Sequence, residues 1–177
     1  MTEPAERLFF AVWPSPAVRA ALVQSVAPLC ESANGRLIPP ENYHLTLAFL
    51  DSVPASKMSA VIAAGHAVDF VPFALTLDCY GIFESPQVLW YGSSAVPDPL
   101  ARLVANLRSH LTGVVKLRPE RRFCPHVSVV RKMAALPQLA RPAKLVWQAY
   151  DFALVRSEYG PGHALYTVLE RFSAAPA

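Results

Sequence analysis

The sequence predicts an α+β protein in which two pseudo-symmetric lobes, each with an antiparallel sheet and flanking helices, surround a central cleft. Its segments run strand, helix, strands, helix, strands, without the long strand–helix alternation that builds a parallel sheet. Each half contains a helix and an apolar strand that carries a histidine two residues before a hydroxyl side chain. With 177 residues, 53% of them hydrophobic, the chain is long and apolar enough for a single domain over 1–177.

The first half begins with a strand and a helix. Residues 7–13, RLFFAVW, are a short apolar run typical of a buried strand. Ser15 is a favoured helix N-cap, and Pro16 suits the first helical position. Helical spacing predicts one buried stripe, formed by Val18, Leu22, Val26 and Leu29. Two short extended segments follow around a Pro-Pro turn signal, and a second helix is predicted from Pro54 to about Val68.

The second half is predicted to contain five strands and one helix. The strands are expected at 73–79, 87–92, 125–131, 147–157 and 163–172. In the first of them, alternate residues face inward: Phe73, Leu75, Leu77 and Cys79. Asp98 and Pro99 are predicted to cap the helix, which ends at Gly113. Its apolar stripe consists of Leu100, Leu103, Val104, Leu107 and Leu111.

Composition narrows the class of protein. Three cysteines without paired spacing favour a reducing compartment over a disulfide framework or a zinc site. The acidic start is not that of a signal peptide, and no apolar run approaches the roughly 20 residues of a membrane span. We therefore expect a cytoplasmic protein without membrane contact. Five basic residues lie near the second histidine: Arg118, Arg121, Arg122, Arg131 and Lys132. They could form a solvated surface or a groove that binds an anion.

Two short motifs contain the side chains best suited to catalysis. HLTL at 44–47 and HVSV at 126–129 each place an imidazole and a hydroxyl two residues apart on a predicted strand. Residues i and i+2 of a strand share a face, so His44 lies beside Thr46 and His126 beside Ser128. If the two strands line opposite walls of one cleft, four polar groups converge there. One such pair is more often a satisfied core feature, but two pairs favour a functional site.

Such a group of side chains suits displacement at phosphorus. One histidine can take a proton from the incoming water while the other protonates the departing oxygen. Thr46 and Ser128 can hold the non-bridging oxygens. A metal site lacks a third ligand in the sequence, Ser128 lacks the glycine-flanked setting of a serine nucleophile, and the glycine-rich phosphate and dinucleotide motifs are absent.

These motifs resemble those of the two-histidine (2H) phosphoesterase superfamily, in particular its RNA 2′,3′-cyclic phosphodiesterase branch, historically called 2′-5′ RNA ligases. The family's motif is His-x-Thr/Ser-x, once in each lobe. The resemblance extends to RLFFAVWPS, to RLIPPENYHLTLAFL, to VLWYG, to RFCPHVSVVRK and to LYTVLERF, and so spans nearly the whole chain.

The resemblance implies a bilobal enzyme that hydrolyses RNA 2′,3′-cyclic phosphate ends to 2′-phosphomonoesters without a metal or other cofactor. By family analogy, His126 activates water and His44 protonates the leaving 3′-oxygen, although the residues alone leave that order open. The reverse reaction would join a cyclic end to a 5′-hydroxyl through a 2′-5′ linkage. The expected partners are RNA ends or short oligonucleotides, and the expected state is a monomer.

The sequence departs from the family pattern at three places. Asp51 stands where the family often has glycine, Ser128 stands where threonine is commoner, and SVVR at 128–131 replaces the more usual TLAR or TLLR. Arg131 keeps its register and is a candidate phosphate contact, although an ideal strand would turn it away from Ser128.

Three further residues are candidate substrate contacts. Phe9 is one of two adjacent phenylalanines, either of which could face the cleft, although core packing is the commoner role. Arg122 and Phe123 precede the second motif and could border a nucleotide pocket. Two other functions stay open: a module that binds RNA ends without turnover, and a phosphodiesterase for a cyclic phosphate other than RNA.

Overall fold

The computed structural model describes residues 3–119, 122–133, 135–138 and 140–174, and it confirms the predicted α+β class. The strands are β1 (Ala5–Val12), β2 (Arg36–Leu37), β3 (Leu45–Pro54), β4 (Phe73–Leu77), β5 (Cys79–Phe83), β6 (Val88–Gly92), β7 (His126–Arg131), β8 (Leu145–Ala149), β9 (Asp151–Tyr159) and β10 (Ala164–Ser173). The α-helices are α1 (Pro16–Glu31), α2 (Met58–His66) and α3 (Asp98–Leu111). Short 3₁₀ turns occupy Pro40–Asn42 and Ala55–Lys57.

The strands form one large sheet and one small one, and the strand pairs of the described residues are all antiparallel. The large sheet runs β10-β9-β1-β3-β7-β6-β5, with β2 also paired to β7, and the small sheet pairs β4 with β8. The two halves of the large sheet meet where β3 adjoins β7, through the single residue pair Leu45–Val127. The halves are the two predicted lobes, and the two histidine motifs lie at the line where the lobes join.

The two faces of the large sheet differ in what covers them. On one face, alternate residues of β1 such as Leu8 and Phe10 join the main core, together with the apolar stripes of all three α-helices. On the other face, Phe9, Ala11, Ala153 and Val155 form a smaller buried cluster. Because strand residues alternate between faces, this small cluster marks the face on which the histidines lie.

Helix starts agree with the sequence in part. The side chain of Ser15 accepts a hydrogen bond from the backbone N–H of Val18 at 3.3 Å, as an N-cap should. The expectation that Asp98 caps α3 is wrong, because Pro97 occupies the cap position and no side chain bonds there. Asp98 is instead the first helical residue, where a negative charge complements the helix dipole. Helix α2 begins at Met58 because β3 continues to Pro54.

Two strand predictions needed correction. The strand expected at 147–157 is divided at Tyr150 into β8 and β9, which belong to different sheets. Cys79 does not continue the inward alternation of β4 but begins β5, a strand that the sequence pattern did not predict. Both differences arise where one apolar run changes sheets, which local periodicity does not reveal.

No helix in the described part of the chain is long and apolar enough to span a membrane. The three cysteines are free thiols.

Candidate active site

The two motifs lie side by side in the sheet. Leu45 pairs with Val127, and both side chains are buried in the main core. The residues on either side of this pair therefore point to the opposite face: His44 and Thr46 on one strand, His126 and Ser128 on the other. Antiparallel register sets His44 across from Ser128 and Thr46 across from His126. The sheet thus brings together the four polar groups that the sequence singled out.

In each motif, a β-bulge follows the hydroxyl residue. In the β1–β3 ladder, Phe10 pairs with Ala48 and Ala11 with Thr46, which leaves Leu47 as an extra residue. In the β6–β7 ladder, Leu89 pairs with Val130 and Trp90 with Ser128, which leaves Val129 as an extra residue. A bulge of this kind shifts the alternation of side chains by one residue.

The bulges decide which side chains return to the histidine face. Val129 and Val130 are both buried in the main core, so the next residue, Arg131, is exposed on the side of Ser128. The positive charge of Arg131 also lowers the pKa of His44, in keeping with that position. On β3, the equivalent residue is Phe49, which is 52% exposed and lies near Phe9. The bulge at Val129 therefore places Arg131 on the same face as Ser128, where an ideal strand would not.

The same type of backbone contact orients each imidazole. Nδ1–H of His44 donates to the carbonyl oxygen of Asn42 at 2.7 Å, and Nδ1–H of His126 donates to the carbonyl oxygen of Cys124, also at 2.7 Å. A carbonyl oxygen can only accept, so Nδ1 carries the proton in both rings and Nε2 is the nitrogen left for chemistry. His44 Nε2 lies 3.1 Å from the hydroxyl oxygen of Thr46.

Aromatic side chains enclose His44. The indole of Trp13 stacks on the imidazole with ring centroids 5.2 Å apart and planes within 7°. Phe9 lies at 4.9 Å, and Tyr166 meets the ring edge-on at 5.2 Å. Burial among these rings lowers the pKa of His44 to about 4, an effect that the charges of His126 and Arg131 reinforce and the Asn42 hydrogen bond opposes.

His126 has a different enclosure. Phe83 meets its ring edge-on at 4.8 Å, and Trp90 lies at 6.0 Å. Trp90 is half-buried on the histidine face. Its indole lies across Gly81, where a Cβ atom would overlap it. Burial lowers the pKa of His126 as well, against the Cys124 hydrogen bond that raises it.

The remaining candidates are divided between the site and its surroundings. Phe9 faces His44 but is only 3% exposed, so it packs against the imidazole and has little surface for a substrate. Phe123 packs against the main core, and Arg122 is exposed in the loop before β7. The described residues show no contact of either with the two histidines, and their role in substrate binding stays a prediction. Arg121, one of the basic cluster, lies outside the described residues.

Sequence reasoning missed the residues that hold the histidines. Trp13, Tyr166 and Phe83 come from three separate strands or strand ends, and nothing local marks them as neighbours of an imidazole. Asn42 is buried, and its side-chain amide donates to the carbonyl oxygen of Ala164 at 2.7 Å. This bond attaches the turn before His44 to the start of β10. The only available signal was the position of Asn42, two residues before the histidine.

Among the described residues, no group of three or more His, Cys, Asp or Glu side chains could hold a metal ion.

Comparison with known proteins agrees with this geometry. A family model described as LigT like Phosphoesterase matches residues 12–90. An RNA 2′,3′-cyclic phosphodiesterase of Thermus thermophilus is 34% identical, over 94% of this chain and 89% of the relative. One of Escherichia coli is 30% identical, over 98% of both chains. The chain belongs to the LigT-like phosphoesterase family. A crystal structure of E. coli LigT complexed with 3′-AMP superimposes with a TM-score of 0.89 and 29% identity, covering 98% of this chain and all of that one.

Membership in the LigT-like family confirms the resemblance and the prediction of an enzyme. The structure also explains how Asp51 is accommodated where the family often has glycine. Asp51 has φ 55°, a left-handed conformation that favours glycine and that Asp tolerates better than most residues. Its carboxylate accepts two hydrogen bonds from Arg118, at 2.8 and 2.9 Å, and the guanidinium lies 5.9 Å from the ring of Phe49. In this LigT-like protein, position 51 therefore keeps a left-handed backbone within β3 and adds an ion pair.

Proposed function

We propose that this enzyme hydrolyses the 2′,3′-cyclic phosphate at RNA ends to a 2′-phosphomonoester by acid–base catalysis between His44 and His126. The observation that carries the proposal is the convergence of two imidazoles, both with Nε2 available, and two hydroxyls on one face of the sheet. The substrate class comes from the related proteins, which are named RNA 2′,3′-cyclic phosphodiesterase.

The reaction is an in-line displacement at phosphorus. His126 Nε2 takes a proton from a water molecule while the water oxygen forms a bond to phosphorus. The bond from phosphorus to O3′ breaks, and protonated His44 gives its Nε2 proton to O3′. Thr46 and Ser128 donate hydrogen bonds to the non-bridging oxygens, and Arg131 neutralises the charge that develops there.

The low pKa of His44 fits an acid that acts only when substrate is bound. With a pKa of about 4 the free imidazole is neutral at pH 7. A phosphodiester anion beside it favours the imidazolium and offsets the charge of Arg131, and both effects raise the pKa of His44. A proton on His44 is therefore coupled to the presence of the substrate phosphate.

The same geometry serves ligation, in which a 5′-hydroxyl replaces water as the nucleophile. If the 5′-hydroxyl of a second RNA takes the place of water at His126, its oxygen attacks phosphorus and O3′ leaves with the proton of His44. The product is a 2′-5′ linkage. We propose this ligation as a secondary activity, favoured where RNA ends are concentrated and held together.

The test is incubation with a short RNA that ends in a 2′,3′-cyclic phosphate, in the presence of EDTA, with separation of 2′- and 3′-phosphate products. We expect a 2′-phosphate, and a loss of about 10²- to 10⁴-fold in kcat for either His44→Ala or His126→Ala. His110→Ala, which changes an exposed histidine on α3, is the matched control.

Other outcomes point to the other functions. An RNA that binds but is not turned over would contradict catalysis and favour a binding module. Turnover of cyclic phosphates that are not part of RNA, without turnover of the RNA, would contradict the substrate class. Full activity in the protein that carries both alanine substitutions would contradict the two-histidine mechanism.

A further inference from the structure

A cavity of about 190 Å³ lies at the end of β1, where Trp13 is a neighbour of His44. Its walls come from the chain that follows β1, from β8, from the β8–β9 junction and from β10. Neither His44 nor His126 lines it, so it is distinct from the face on which the phosphate would react.

Trp13 connects this cavity to the reaction site. Its indole is stacked on His44 with ring centroids 5.2 Å apart, and Trp13 is also one of the residues that line the cavity. The cavity and His44 therefore share Trp13 as a common neighbour. In the proposed reaction the O3′ leaving group is at His44, so the ribose and the RNA chain attached to it extend toward this side of the site.

The walls combine aromatic surface with polar edges. Trp13 and Tyr150 are the aromatic residues available to a ligand, since Trp147 is buried in the main core, and Tyr150 is 68% exposed at the point where β8 and β9 separate. Gln148, Asp151 and Arg171 supply hydrogen-bonding groups. Arg171 contacts both carboxylate oxygens of Asp151 at 3.1 Å through Nη1 alone, which leaves other donors of the guanidinium for a ligand.

Aromatic faces beside a guanidinium are the chemistry that binds single-stranded RNA, by stacking on a base and by pairing with its phosphate. The cavity is smaller than the roughly 300 Å³ at which pockets for drug-sized ligands begin. It therefore has room for one flat base rather than for a whole nucleotide, and the sugar and phosphate would remain outside, near Arg171.

We propose that this cavity binds the base of the nucleotide that precedes the cyclic end, and that it makes the enzyme prefer oligonucleotide ends to cyclic mononucleotides. The inference rests on the proposed function. Tyr150 stacks on the base, and Arg171 contacts the phosphodiester that joins this nucleotide to the terminal one.

The experiment compares two substrates that share the reacting group. A nucleoside 2′,3′-cyclic phosphate fills only the reaction site, whereas a dinucleotide that ends in the same cyclic nucleotide also reaches the cavity. We expect the wild-type enzyme to have a higher kcat/KM for the dinucleotide. Tyr150→Ala should reduce that value by about five- to a hundred-fold, the range for loss of one stacked base. The mononucleotide value should not change.

Two further variants separate stacking from a general effect on the fold. Arg171→Gln should raise KM for the dinucleotide without changing kcat for the mononucleotide. Tyr159→Ala is the matched control, because Tyr159 is 86% exposed at the opposite end of β9 and contacts Arg7. It should retain the wild-type preference for the dinucleotide.

Each failure has its own signature. Equal kcat/KM for the two substrates in the wild-type enzyme, or a preference that survives Tyr150→Ala and Arg171→Gln, would overturn the cavity assignment while the proposed function stands. Absence of turnover of both substrates would overturn the proposed function and this inference with it.

Discussion

The two halves of the site share a backbone arrangement but surround their histidines differently. In each half, a histidine Nδ1 bonds the carbonyl oxygen two residues earlier, the hydroxyl follows two residues later, and a bulge follows the hydroxyl. Around His44 there are three aromatic rings, and its Nε2 is hydrogen-bonded to Thr46. In the part of the chain that the structure describes, His126 has no comparable bond to Ser128.

The residue that follows the bulge differs even more between the two strands. On β7 it is Arg131, a cation, and on β3 it is Phe49, an exposed ring with Arg118 beside it. A symmetric backbone thus carries an asymmetric charge. The comparison teaches that the fold supplies two equivalent places for an imidazole, whereas the neighbouring side chains give the two imidazoles different pKa values. The proposed acid, His44, therefore carries its proton only when a bound phosphate raises its pKa.

After the histidines themselves, the largest expected effect comes from the two hydroxyls. Thr46→Val and Ser128→Ala should each lower kcat by about 10²- to 10³-fold, as loss of one transition-state donor does. Thr46→Val should cost more, because it also removes the partner of His44 Nε2. Steady-state kinetics on the cyclic substrate decide this. Equal losses, with Thr46→Ser no better than Thr46→Val, would show that the Thr46–His44 contact has no role.

A second prediction compares the two positions that follow the bulges. Arg131→Gln should lower kcat/KM by about ten- to a hundred-fold, the cost of a charge-assisted hydrogen bond. It should also raise the pKa of His44, since the charge of Arg131 lowers it. Phe49→Leu, the matched change on β3, should do neither. A kcat/KM that falls as far in Phe49→Leu as in Arg131→Gln would contradict the asymmetry.

The pH dependence offers a third comparison. The productive form carries one proton on the histidine pair, so kcat/KM falls when both rings are protonated and again when both are neutral. Because both pKa values are lowered, that of His44 to about 4, the optimum of kcat/KM should lie below 6.5. Substrate phosphate raises the pKa values, so kcat should peak at higher pH than kcat/KM.

Removing one ring from each enclosure sharpens this prediction. Trp13→Leu admits water to His44, raises its pKa and moves the acid limb of the profile upward. Phe83→Leu should instead raise the pKa of His126 and move the alkaline limb upward. A profile with its optimum above pH 7, or one in which both variants shift the same limb, would refute the assignment.

The smallest effect is expected at Asp51. Asp51→Gly removes the exposed ion pair with Arg118 but relieves the left-handed backbone, so the free energy of unfolding should change by less than about 1 kcal/mol. Asp51→Ala removes the same ion pair and keeps the backbone cost, so it should destabilise more than glycine does. Urea denaturation of the two variants measures the difference. Because both variants lose the ion pair, a larger loss for glycine than for alanine would contradict the proposed cost of the left-handed backbone at position 51.

Several features could be predicted from the sequence because they depend on local rules. The shared face of His44 and Thr46, the cap at Ser15 and the apolar stripes of α1 and α3 follow from strand and helix periods. The family could be recognised because its landmarks lie along the whole chain. The sequence could not predict that 147–157 divides between two sheets, because both parts have the same apolar character.

The sequence by itself determined which residue types are available and which of them share a strand face. Tertiary structure alone decided that Leu45 pairs with Val127, which places the two motifs on one surface. It also decided that Arg131 returns to that surface, because a bulge depends on the partner strand rather than on the residues of β7. The pKa of His44 is likewise a tertiary property, since the rings that exclude water from it come from β1, the segment after it, and β10. Alternation along a strand is local, whereas pairing, bulges and burial depend on residues far away in the chain.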